Sequence, residues 1–577
     1  MPKLCLIDAL GPFYRPNPNQ PVVNWSKVDF ANLETDGQLT AETRAYVAAR
    51  FEQYLEQVTA LGYNAVSLDD LAHVVALPFY RPALQRLIGQ YQQLYRRLFA
   101  LARAHGVAVY INSDYMFRNA DIDTHLRGTS RSTQELFAQT FEAALRLFPE
   151  IAGLILRIGE HDGLDVTSEF VSRIELRQPQ QLNALLRRLL PICEQHEVKL
   201  IVRTWTVGMH PVGDLIWSRR TFDRVFGEIT SQQLIISMKY GDTDFMRHLD
   251  LNPLLVASHH PIMVELQARR EWEGMGLYPS FVGWDYANYL AQLRHCPQLV
   301  GIQVWCQTGG WARPTWSTVS FLDEGSFWNE LNAAVTVRLY ERGESVREAV
   351  AAFCQAHSIA DAGGFERLLQ LSDQAVKDGL YVREFAQQPR YVRRSRLPSL
   401  GWLAWDRVVT EPVLIGLMRE LVRRPQAAVE QGRQAAAIGR QMVALGRTLH
   451  LPAGLQASLE FERDTLEILA VVRQAMLQGL TAAEFEQLKQ RVLAYTDRYP
   501  QHYRIDVAAL QQALRQAPPP GLSRLLVLAT RRRAAYRPAD RLLLITSPLQ
   551  RWLIRWYLRR RGSFLAKQAM GLEAIFT

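Results

Sequence analysis

Residues 151–205 contain three segments in succession: IAGLILRI (151–158), QQLNALLRRLLPICEQH (180–196) and VKLIVRTW (198–205). The first and third are continuous runs of aliphatic and β-branched residues, which is typical of parallel strands covered on both faces. The middle segment repeats its apolar residues at the i, i+3 and i+4 spacing of a helix with one buried face. The stretch therefore predicts a β-α-β unit, the building block of a parallel sheet.

Similar segments recur on both sides of this unit and bring the number of predicted strands to eight. The other six strands are 4–10, 63–68, 107–112, 233–240, 262–267 and 301–306, and further helices are predicted at 42–61, 81–105, 132–148, 288–295 and 327–341. Eight strands that alternate with helices over somewhat more than ~250 residues predict an α/β fold, the (β/α)8 TIM barrel. No GxGxxG loop follows the first strand, which disfavours a doubly wound nucleotide-binding sheet.

The strand pattern stops near residue 345, and the rest of the chain has a different character. Residues 345–517 predict an all-α C-terminal region, and three consecutive prolines at 518–520 mark a boundary. We therefore expect three parts: a catalytic (β/α)8 barrel over 1–344, a helical domain over 345–517, and a basic amphipathic tail over 518–577.

The net charge of +9 is concentrated in this tail. Residues 521–577 carry twelve Lys or Arg against two acids, a net +10, so the other 520 residues sum to −1. A nearly neutral body disfavours a nucleic-acid-binding protein, and we predict no nucleic acid partner. Trp552 and Trp556 alternate with arginines, which predicts either a helical extension docked on the body or a segment in peripheral contact with anionic lipid.

Several classes of protein are disfavoured by simple features. No apolar run approaches the ~18–20 residues that span a bilayer, and the N-terminus lacks the regions of a signal peptide. Five scattered cysteines form no CxxC pair and cannot all be paired, which fits a reducing compartment. We expect a cytoplasmic protein, peripheral at the inner membrane face if the tail binds lipid. No cofactor and no metal site is predicted, because no Cys/His cluster has ligand spacing.

In a TIM barrel, the side chains at the C-terminal ends of the strands line the active site. The predicted strand ends carry carboxylates, cations, amides and indoles, namely Asp69, Asp70, Asn112, Asp114, Arg157, Glu160, Arg203, Trp205, Lys239, Asp242, Asp244, Glu265, Gln267, Trp305 and Gln307. Cleavage of a glycosidic bond needs one protonated carboxyl group and one carboxylate that activates water or attacks the anomeric carbon. Aromatic faces and fixed polar groups bind sugar rings, so this mixture predicts sugar chemistry.

The ends of three neighbouring strands resemble one family of glycoside hydrolases, the xylan-debranching α-glucuronidases. Residues 239–245, KYGDTDF, resemble that family's Lys-Asn-Gly-Pro-Ile-Asp-Phe motif. Residues 263–267 (MVELQ) and 271–274 (EWEG) resemble its Met-Glu-Leu-Gln followed by Glu-Tyr-x-Gly, and residues 203–205 (RTW) resemble its Arg-Ala-Phe. The resemblance covers roughly residues 60–335.

This resemblance implies inverting hydrolysis of a terminal uronic acid from an oligosaccharide substrate. It implies that Glu160 is the general acid and that Asp244 and Glu265 hold and deprotonate the attacking water. Lys239 and Arg203 match the cations that receive the uronate carboxylate in the family. The resemblance also implies a homodimer formed through the helical region.

The sequence departs from the family around the acid, and alternatives stay open there. Glu160 lies in Gly-Glu-His-Asp-Gly rather than Ser-Glu-Gly, so Asp162 or Asp165 is an alternative acid. Arg157 is a further candidate cation, although it precedes Glu160 by three residues where the family's lysine precedes its acid by four. Asp242 competes with Asp244 for the role of the base.

The remaining site candidates have structural alternatives as well. Glu265 could form a rim salt bridge with Arg203 or Lys239, and those cations could be structural partners only. The indoles of Trp205 and Trp305 could pack inside the barrel rather than bind sugar, whereas a loop position favours a binding role for Trp311 and Trp316. Asp69, Asp70, Asn112 and Asp114 could bind hydroxyls or cap barrel loops, and the histidines 161, 210, 259 and 260 are expected to be loop residues.

Two other functions remain compatible with the sequence. The first is a non-catalytic barrel that binds carbohydrate or takes part in polysaccharide assembly. The second is a glycosidase that acts on a different sugar, such as a hexosaminide.

Overall fold

The computed structural model describes residues 3–15, 27–129, 132–160, 162, 168–206, 210–306, 327–392, 394–530, 549, 552 and 556. Eight parallel strands close a barrel in which the order of the strands follows the chain. They are β1 (Leu4–Asp8), β2 (Ala65–Asp69), β3 (Ala108–Asp114), β4 (Ile151–Arg157), β5 (Lys199–Arg203), β6 (Leu234–Lys239), β7 (Ile262–Gln267) and β8 (Leu299–Trp305). The prediction of a (β/α)8 barrel is confirmed.

Helices surround the barrel, each with an apolar face toward the strands. The long ones are Ala41–Leu61, Pro82–Ala104, Thr133–Leu147, Pro179–Gln195, Gly283–Leu293 and Phe327–Glu341, and shorter ones are Leu71–Val74, Ala120–Gly128, Arg219–Phe226 and Pro253–Ala257. Local signals define the helix ends. The side chain of Ser132 accepts a hydrogen bond from the backbone N–H of Glu135, and the Glu135 carboxylate accepts one from the backbone N–H of Ser132, which forms a capping box.

The barrel interior has a floor of apolar side chains, most of them large. Seven strands contribute one residue each to this layer, namely Leu6, Ala65, Tyr110, Ile155, Ile201, Ile235 and Met263. Because side chains alternate between the two faces of a strand, the residue two positions further along also points inward. Those next residues are all polar and all buried: Asp8, Ser67, Asn112, Arg157, Arg203, Ser237 and Glu265. The barrel therefore carries a polar layer toward the C-terminal ends of its strands, which we call the barrel mouth.

The region after the barrel is helical, as predicted. Its helices are Val346–Ala356, Ala362–Gly379, Arg383–Ala386, Pro412–Leu421, Pro425–Thr448, Ala453–Leu477, Ala482–Arg498, Val507–Arg515 and Pro520–Ala529. It also contains two ribbons of paired strands, Tyr391–Val392 with Ser395–Arg396 and Leu403–Ala404 with Arg407–Val408, which were not predicted. Strands of two residues are too short to show an alternating pattern, and these are anchored by contacts with the barrel loops.

A buried charge network joins the helical region to the barrel. Arg247, in the loop after β6, donates hydrogen bonds to Glu273 (3.1 Å), Asp285 (2.7 Å) and Asp373 (2.8 Å). The hydroxyl of Tyr381 donates to the same Glu273 carboxylate (2.5 Å). Since Asp373 and Tyr381 come from the helical region and the other groups from the barrel, the network holds the two parts together beside the barrel mouth.

Two further findings concern the chain as a whole. All five cysteines are unpaired. Among the described residues, no helix has the length and apolarity that crossing a bilayer requires.

Candidate active site

A single guanidinium lies at the centre of the barrel mouth and contacts two carboxyl groups. Arg203, the last residue of β5, donates from Nε and Nη2 to the Glu265 carboxylate, with the shortest contact at 2.9 Å. Its Nη1 lies 3.7 Å from Oε1 of Glu160. The structure therefore brings the ends of β4, β5 and β7 together in one site.

Glu265 is completely buried, and its carboxylate is surrounded by donors. Besides Arg203, it accepts hydrogen bonds from the hydroxyl of Ser237 (3.0 Å) and the indole N–H of Trp305 (3.1 Å). Four donors occupy the roughly four lone-pair sites that a carboxylate offers. These donors leave no acceptor site on the Glu265 carboxylate for water.

Glu160 lies just after the end of β4 and is buried in the same mouth. Burial raises the pKa of its carboxyl group above the ordinary value, although the positive charges of Arg203 and Arg157 act in the other direction. The residue before it, Gly159, lies so close to Thr206 that an added Cβ would overlap that side chain. A glycine is therefore needed to bring Glu160 in against β5, where it is positioned to hold a proton.

Asp244 lies in the loop after β6 and stays ionised. Lys239 Nζ lies 2.5 Å from its Oδ1, the backbone N–H of Phe245 donates to the same oxygen (2.8 Å), and the indole of Trp272 donates to Oδ2 (3.1 Å). Burial alone would raise the pKa of Asp244, but Lys239 and these hydrogen bonds outweigh it and lower the pKa. Three donors leave one acceptor site for a water molecule or a sugar hydroxyl.

Two aromatic residues near Asp244 come from different parts of the chain. Trp405, between the strands of the second ribbon, stacks on Trp272 with ring centroids 5.0 Å apart. On the other side, Lys239 Nζ lies 3.8 Å above the ring of Trp205, which is only partly buried. The helical region thus supports the indole that orients the Asp244 carboxylate, and Trp205 offers ring surface at the site.

A second pair of charged residues follows β7. Arg269 donates from Nη2 to Oε2 of Glu271, and the backbone N–H of Glu271 donates to the side-chain oxygen of Gln267 (3.0 Å). Burial and the negative charge of Asp244 raise the pKa of Glu271, while Arg269 acts to lower it. Arg269 also acts on Asp8 of β1, whose pKa burial raises to about 7. These carboxyl groups belong to the same mouth as Asp244.

The ends of β3 and β4 form a separate charged cluster at the edge of the mouth. Asp114 pairs with Arg157 Nε (2.6 Å) and Lys27 Nζ (2.6 Å). Burial opposes ionisation of Asp114, but these two cations prevail and lower its pKa to about 2. Lys27 also contacts both oxygens of Asp162, at 2.6 and 2.8 Å. Both oxygens of Asp162 are therefore engaged by Lys27, which makes Asp162 a weaker candidate than Glu160 for contact with a substrate.

Asn112 belongs to the same edge. Its side-chain amide donates to Asp69 (2.9 Å). Burial, partly opposed by Arg157, raises the pKa of Asp69 to about 6.

Three predicted binding residues are engaged elsewhere. Asp242 pairs with Arg396 and accepts a hydrogen bond from the hydroxyl of Tyr391 (3.1 Å) in the first ribbon. Asp70 caps the helix Leu71–Val74. Trp305 is fully buried beneath Arg203, at 4.2 Å from ring centroid to guanidinium carbon, so the structure places it in the packing of the mouth.

Some candidates lie outside the described residues, namely Gln307, Trp311, Trp316, His161 and Asp165. Among the residues that are described, no group of three or more His, Cys, Asp or Glu is arranged to hold a metal ion.

Among the site residues that sequence reasoning missed, Arg269, Asp8, Glu271 and Trp405 differ in whether they had a usable signal. Arg269 and Asp8 lie at or just beyond strand ends, so the same rule that selected the other candidates could have included them. Glu271 lies in the EWEG segment but was used only as a marker of resemblance. Trp405 lies far along the chain in an unpredicted ribbon, and nothing local associates it with the barrel.

Comparison with known proteins shows the fold and no closer relationship. No protein-family model and no curated protein matches the sequence. An enzyme of glycoside hydrolase family 138 that targets the pectin rhamnogalacturonan II is similar in structure, with a TM-score of 0.51 and 11% identity, over 90% of this chain and 64% of that one. This chain therefore spans less than two thirds of that enzyme's length.

Weaker structural likenesses include two other barrels. The chitobiase of Flavobacterium johnsoniae has a TM-score of 0.34 at 13% identity, over 89% of this chain and 77% of that one. A β-mannanase from the blue mussel Mytilus edulis has a TM-score of 0.34 at 11% identity, over 59% of this chain and 94% of that one.

Proposed function

We propose that this chain is a glycoside hydrolase in which Glu160 is the general acid and Asp244 the general base. The observation that carries the proposal is a pair of carboxyl groups at one barrel mouth whose pKa values are displaced in opposite directions, upward for Glu160 and downward for Asp244. A site that separates two pKa values in this way provides one proton donor and one proton acceptor at the same pH.

In this mechanism Glu160 donates its proton to the glycosidic oxygen as the bond from that oxygen to the anomeric carbon breaks. A water molecule attacks the opposite face of the sugar ring and loses its proton to Asp244, so the anomeric configuration inverts. Each proton transfer typically contributes about 10²–10⁴ to the rate. The next turnover requires Glu160 to regain a proton and Asp244 to release one.

Glu265 takes a supporting part in this proposal. The family resemblance assigns it to the attacking water together with Asp244, but its acceptor sites are filled by Arg203, Ser237 and Trp305. It therefore acts as a positioning residue that neutralises Arg203. A guanidinium paired in this way lowers the pKa of Glu160 less than a free one would.

We further propose that the sugar is a uronic acid at the end of an oligosaccharide. The proposal is supported by the motif resemblance and by the cations around the mouth, of which Arg203 and Lys239 are the two that the resemblance assigns to the sugar. Trp205 is a candidate platform for the apolar face of the ring.

The proposal can be tested with aldouronic acids and a panel of aryl glycosides, with the anomer of the released sugar followed by NMR. Glu160→Gln is expected to lower kcat by about 10²–10⁴ for natural leaving groups. It should lower kcat far less for a dinitrophenyl glycoside, whose leaving group needs no proton. Asp244→Asn is expected to lower kcat for both substrates, because deprotonation of water does not depend on the leaving group.

Asp242→Asn is the matched control, because Asp242 is two residues from Asp244 but its carboxylate is engaged with Arg396. It is expected to leave kcat close to that of the wild type. Hydrolysis that survives both Glu160→Gln and Asp244→Asn would refute the assignment of the site. Sugar binding without cleavage of any substrate would instead favour a carbohydrate-binding barrel.

A further inference from the structure

Arg269 is a buried cation whose hydrogen-bonding capacity is only partly used. Its side chain is completely excluded from solvent, and Nη2 donates to Glu271. Nε and Nη1 have no hydrogen-bond partner among the described residues. Buried polar groups normally have partners, because an unsatisfied donor loses its water without replacement, and the penalty is larger for a charged group. The unfilled donors therefore suggest a ligand.

Two other cations at the mouth are already paired with carboxylates. Arg203 is paired with Glu265 and lies near Glu160, and Lys239 is paired with Asp244. The two cations that the family resemblance assigns to a uronate carboxylate thus already have carboxylate partners of their own.

Arg270, the next residue along the chain, does find hydrogen-bond partners for its guanidinium in the same part of the structure. Arg270 donates from Nη2 to one oxygen of Glu273 (2.6 Å) and from Nε to the other (3.0 Å), and it also donates to the carbonyl of Phe245 (3.1 Å). Adjacent arginines in one loop therefore have contrasting environments. Arg270 forms an internal ion pair with Glu273, whereas Nε and Nη1 of Arg269 have no hydrogen-bond partner among the described residues.

The surroundings of Arg269 favour an incoming anion. Its nearest carboxyl group is Glu271, and Asp8 is close enough to feel its charge. Burial raises the pKa of both carboxyl groups, to about 7 for Asp8, so they neutralise the guanidinium less completely than ordinary carboxylates would. Glu271 in turn is close enough to Asp244 to feel its charge, so Arg269 belongs to the same group of charges as the proposed base.

We propose that Arg269 receives the carboxylate of the substrate's uronic acid, through the donors that Glu271 leaves open. A guanidinium suits this ligand because its N–H groups match the geometry of a carboxylate. The inference rests on the hydrolase function proposed for the same mouth. On this proposal the acid group is recognised by Arg269, which the family motifs do not include, rather than by Arg203 and Lys239.

Binding of free sugars tests the inference without any need for turnover. The melting temperature is measured over a concentration series of D-glucuronate and D-galacturonate, and of D-glucose and D-galactose as neutral counterparts. The wild type is expected to be stabilised more by a uronate than by its neutral counterpart. Arg269→Met is expected to lower uronate affinity about 10- to 100-fold and to leave the response to the neutral sugars unchanged.

Stability without ligand provides a second readout on the same variants. Because only Nη2 of Arg269 is paired, and burial raises the pKa of its partner Glu271 and so lowers the cost of leaving that carboxyl group without a cation, Arg269→Met is expected to melt only slightly below the wild-type temperature. Arg270→Met is expected to melt well below it, because it breaks a satisfied buried pair. Arg146→Gln, on an exposed helix face, controls for the loss of one positive charge and is expected to bind uronate like the wild type.

The results also separate this inference from the hydrolase proposal. Glu160→Gln is expected to slow hydrolysis of natural substrates by about 10²–10⁴ but to keep the preference for uronate. If no glycoside is cleaved while the uronate preference still depends on Arg269, the hydrolase proposal fails and the carboxylate site stands. If the wild type does not prefer uronates over neutral sugars, or if Arg269→Met keeps the preference, the carboxylate site is refuted.

Discussion

Glu265→Gln is expected to destabilise the barrel strongly, because it removes the negative charge that balances a buried guanidinium. Arg203, Ser237 and Trp305 all donate hydrogen bonds to the carboxylate. A glutamine would direct its amide N–H groups at one of these donors. Only the hydroxyl of Ser237 can turn to accept, so the amide is expected to settle with its nitrogen toward Ser237.

The size of the effect depends on which carboxyl groups remain near Arg203 in the variant. Removal of one partner from a buried ion pair typically lowers the free energy of unfolding by about 3–5 kcal/mol. Glu160 is the carboxyl group that remains near Arg203, but at 3.7 Å it is beyond ideal hydrogen-bond distance and compensates only in part. We therefore expect a loss of about 3–4 kcal/mol, a large share of the ~5–15 kcal/mol typical of folded proteins.

Urea unfolding followed by tryptophan fluorescence measures this loss. Glu142→Gln is the control, since Glu142 pairs with Arg146 on the surface of a helix, where the arginine side chain is 66% exposed. An exposed pair of this kind is worth less than about 1 kcal/mol. If the two variants lose the same free energy, the reasoning that Glu265 compensates a buried charge is refuted.

The same variant should change the pH dependence of hydrolysis in a defined direction. Without Glu265, the charge of Arg203 acts more strongly on Glu160 and lowers the raised pKa of that carboxyl group. Because Glu160 must be protonated to act as an acid, activity should be lost at lower pH than in the wild type. If the alkaline limb of the pH–rate profile stays in place, Arg203 does not link the two carboxyl groups.

Three further outcomes are expected. Burial raises the pKa of Glu462, and its carboxyl oxygens have no partner among the described residues. The folded protein therefore favours the protonated carboxyl group, and its stability falls as the pH rises from the pKa of Glu462 in the unfolded chain through its pKa in the folded protein. Glu462→Gln should therefore raise the melting temperature near pH 9 and not near pH 4, and an equal shift at both pH values would contradict this. Gly159→Ala should lower the free energy of unfolding by about 1–3 kcal/mol and reduce hydrolysis, because the Cβ overlaps Thr206. Gly89→Ala, where an added Cβ meets nothing within 4 Å, should stabilise by up to about 1 kcal/mol in the same urea series, and equal losses in the two variants would rule out the steric explanation. We propose that the basic tail contacts anionic membranes, since Trp552 and Trp556 are exposed; the full chain should float with anionic liposomes and a chain ending at residue 530 should not.

The sequence by itself determined the barrel and the composition of its mouth. Both follow from local patterns: apolar runs of strand length alternate with amphipathic helices, and the period of two along a strand places residues such as Arg203 and Glu265 on the inward face. Because parallel strands of a barrel end at the same side, residues far apart in the chain could be predicted to meet there. Glu160, Arg203 and Glu265 do meet there.

Only the tertiary structure decided which of these residues have capacity left for a ligand. The Glu265 carboxylate accepts hydrogen bonds from three other strands, and the Asp242 carboxylate pairs with Arg396. Two donors of Arg269 have no partner among the described residues, whereas the neighbouring Arg270 is paired with Glu273. Each of these outcomes depends on side-chain pairs between segments distant in sequence, and on burial, which shifts the pKa of groups such as Glu160. Such pairings are set by the packing of the whole chain, so no local pattern of residues records them.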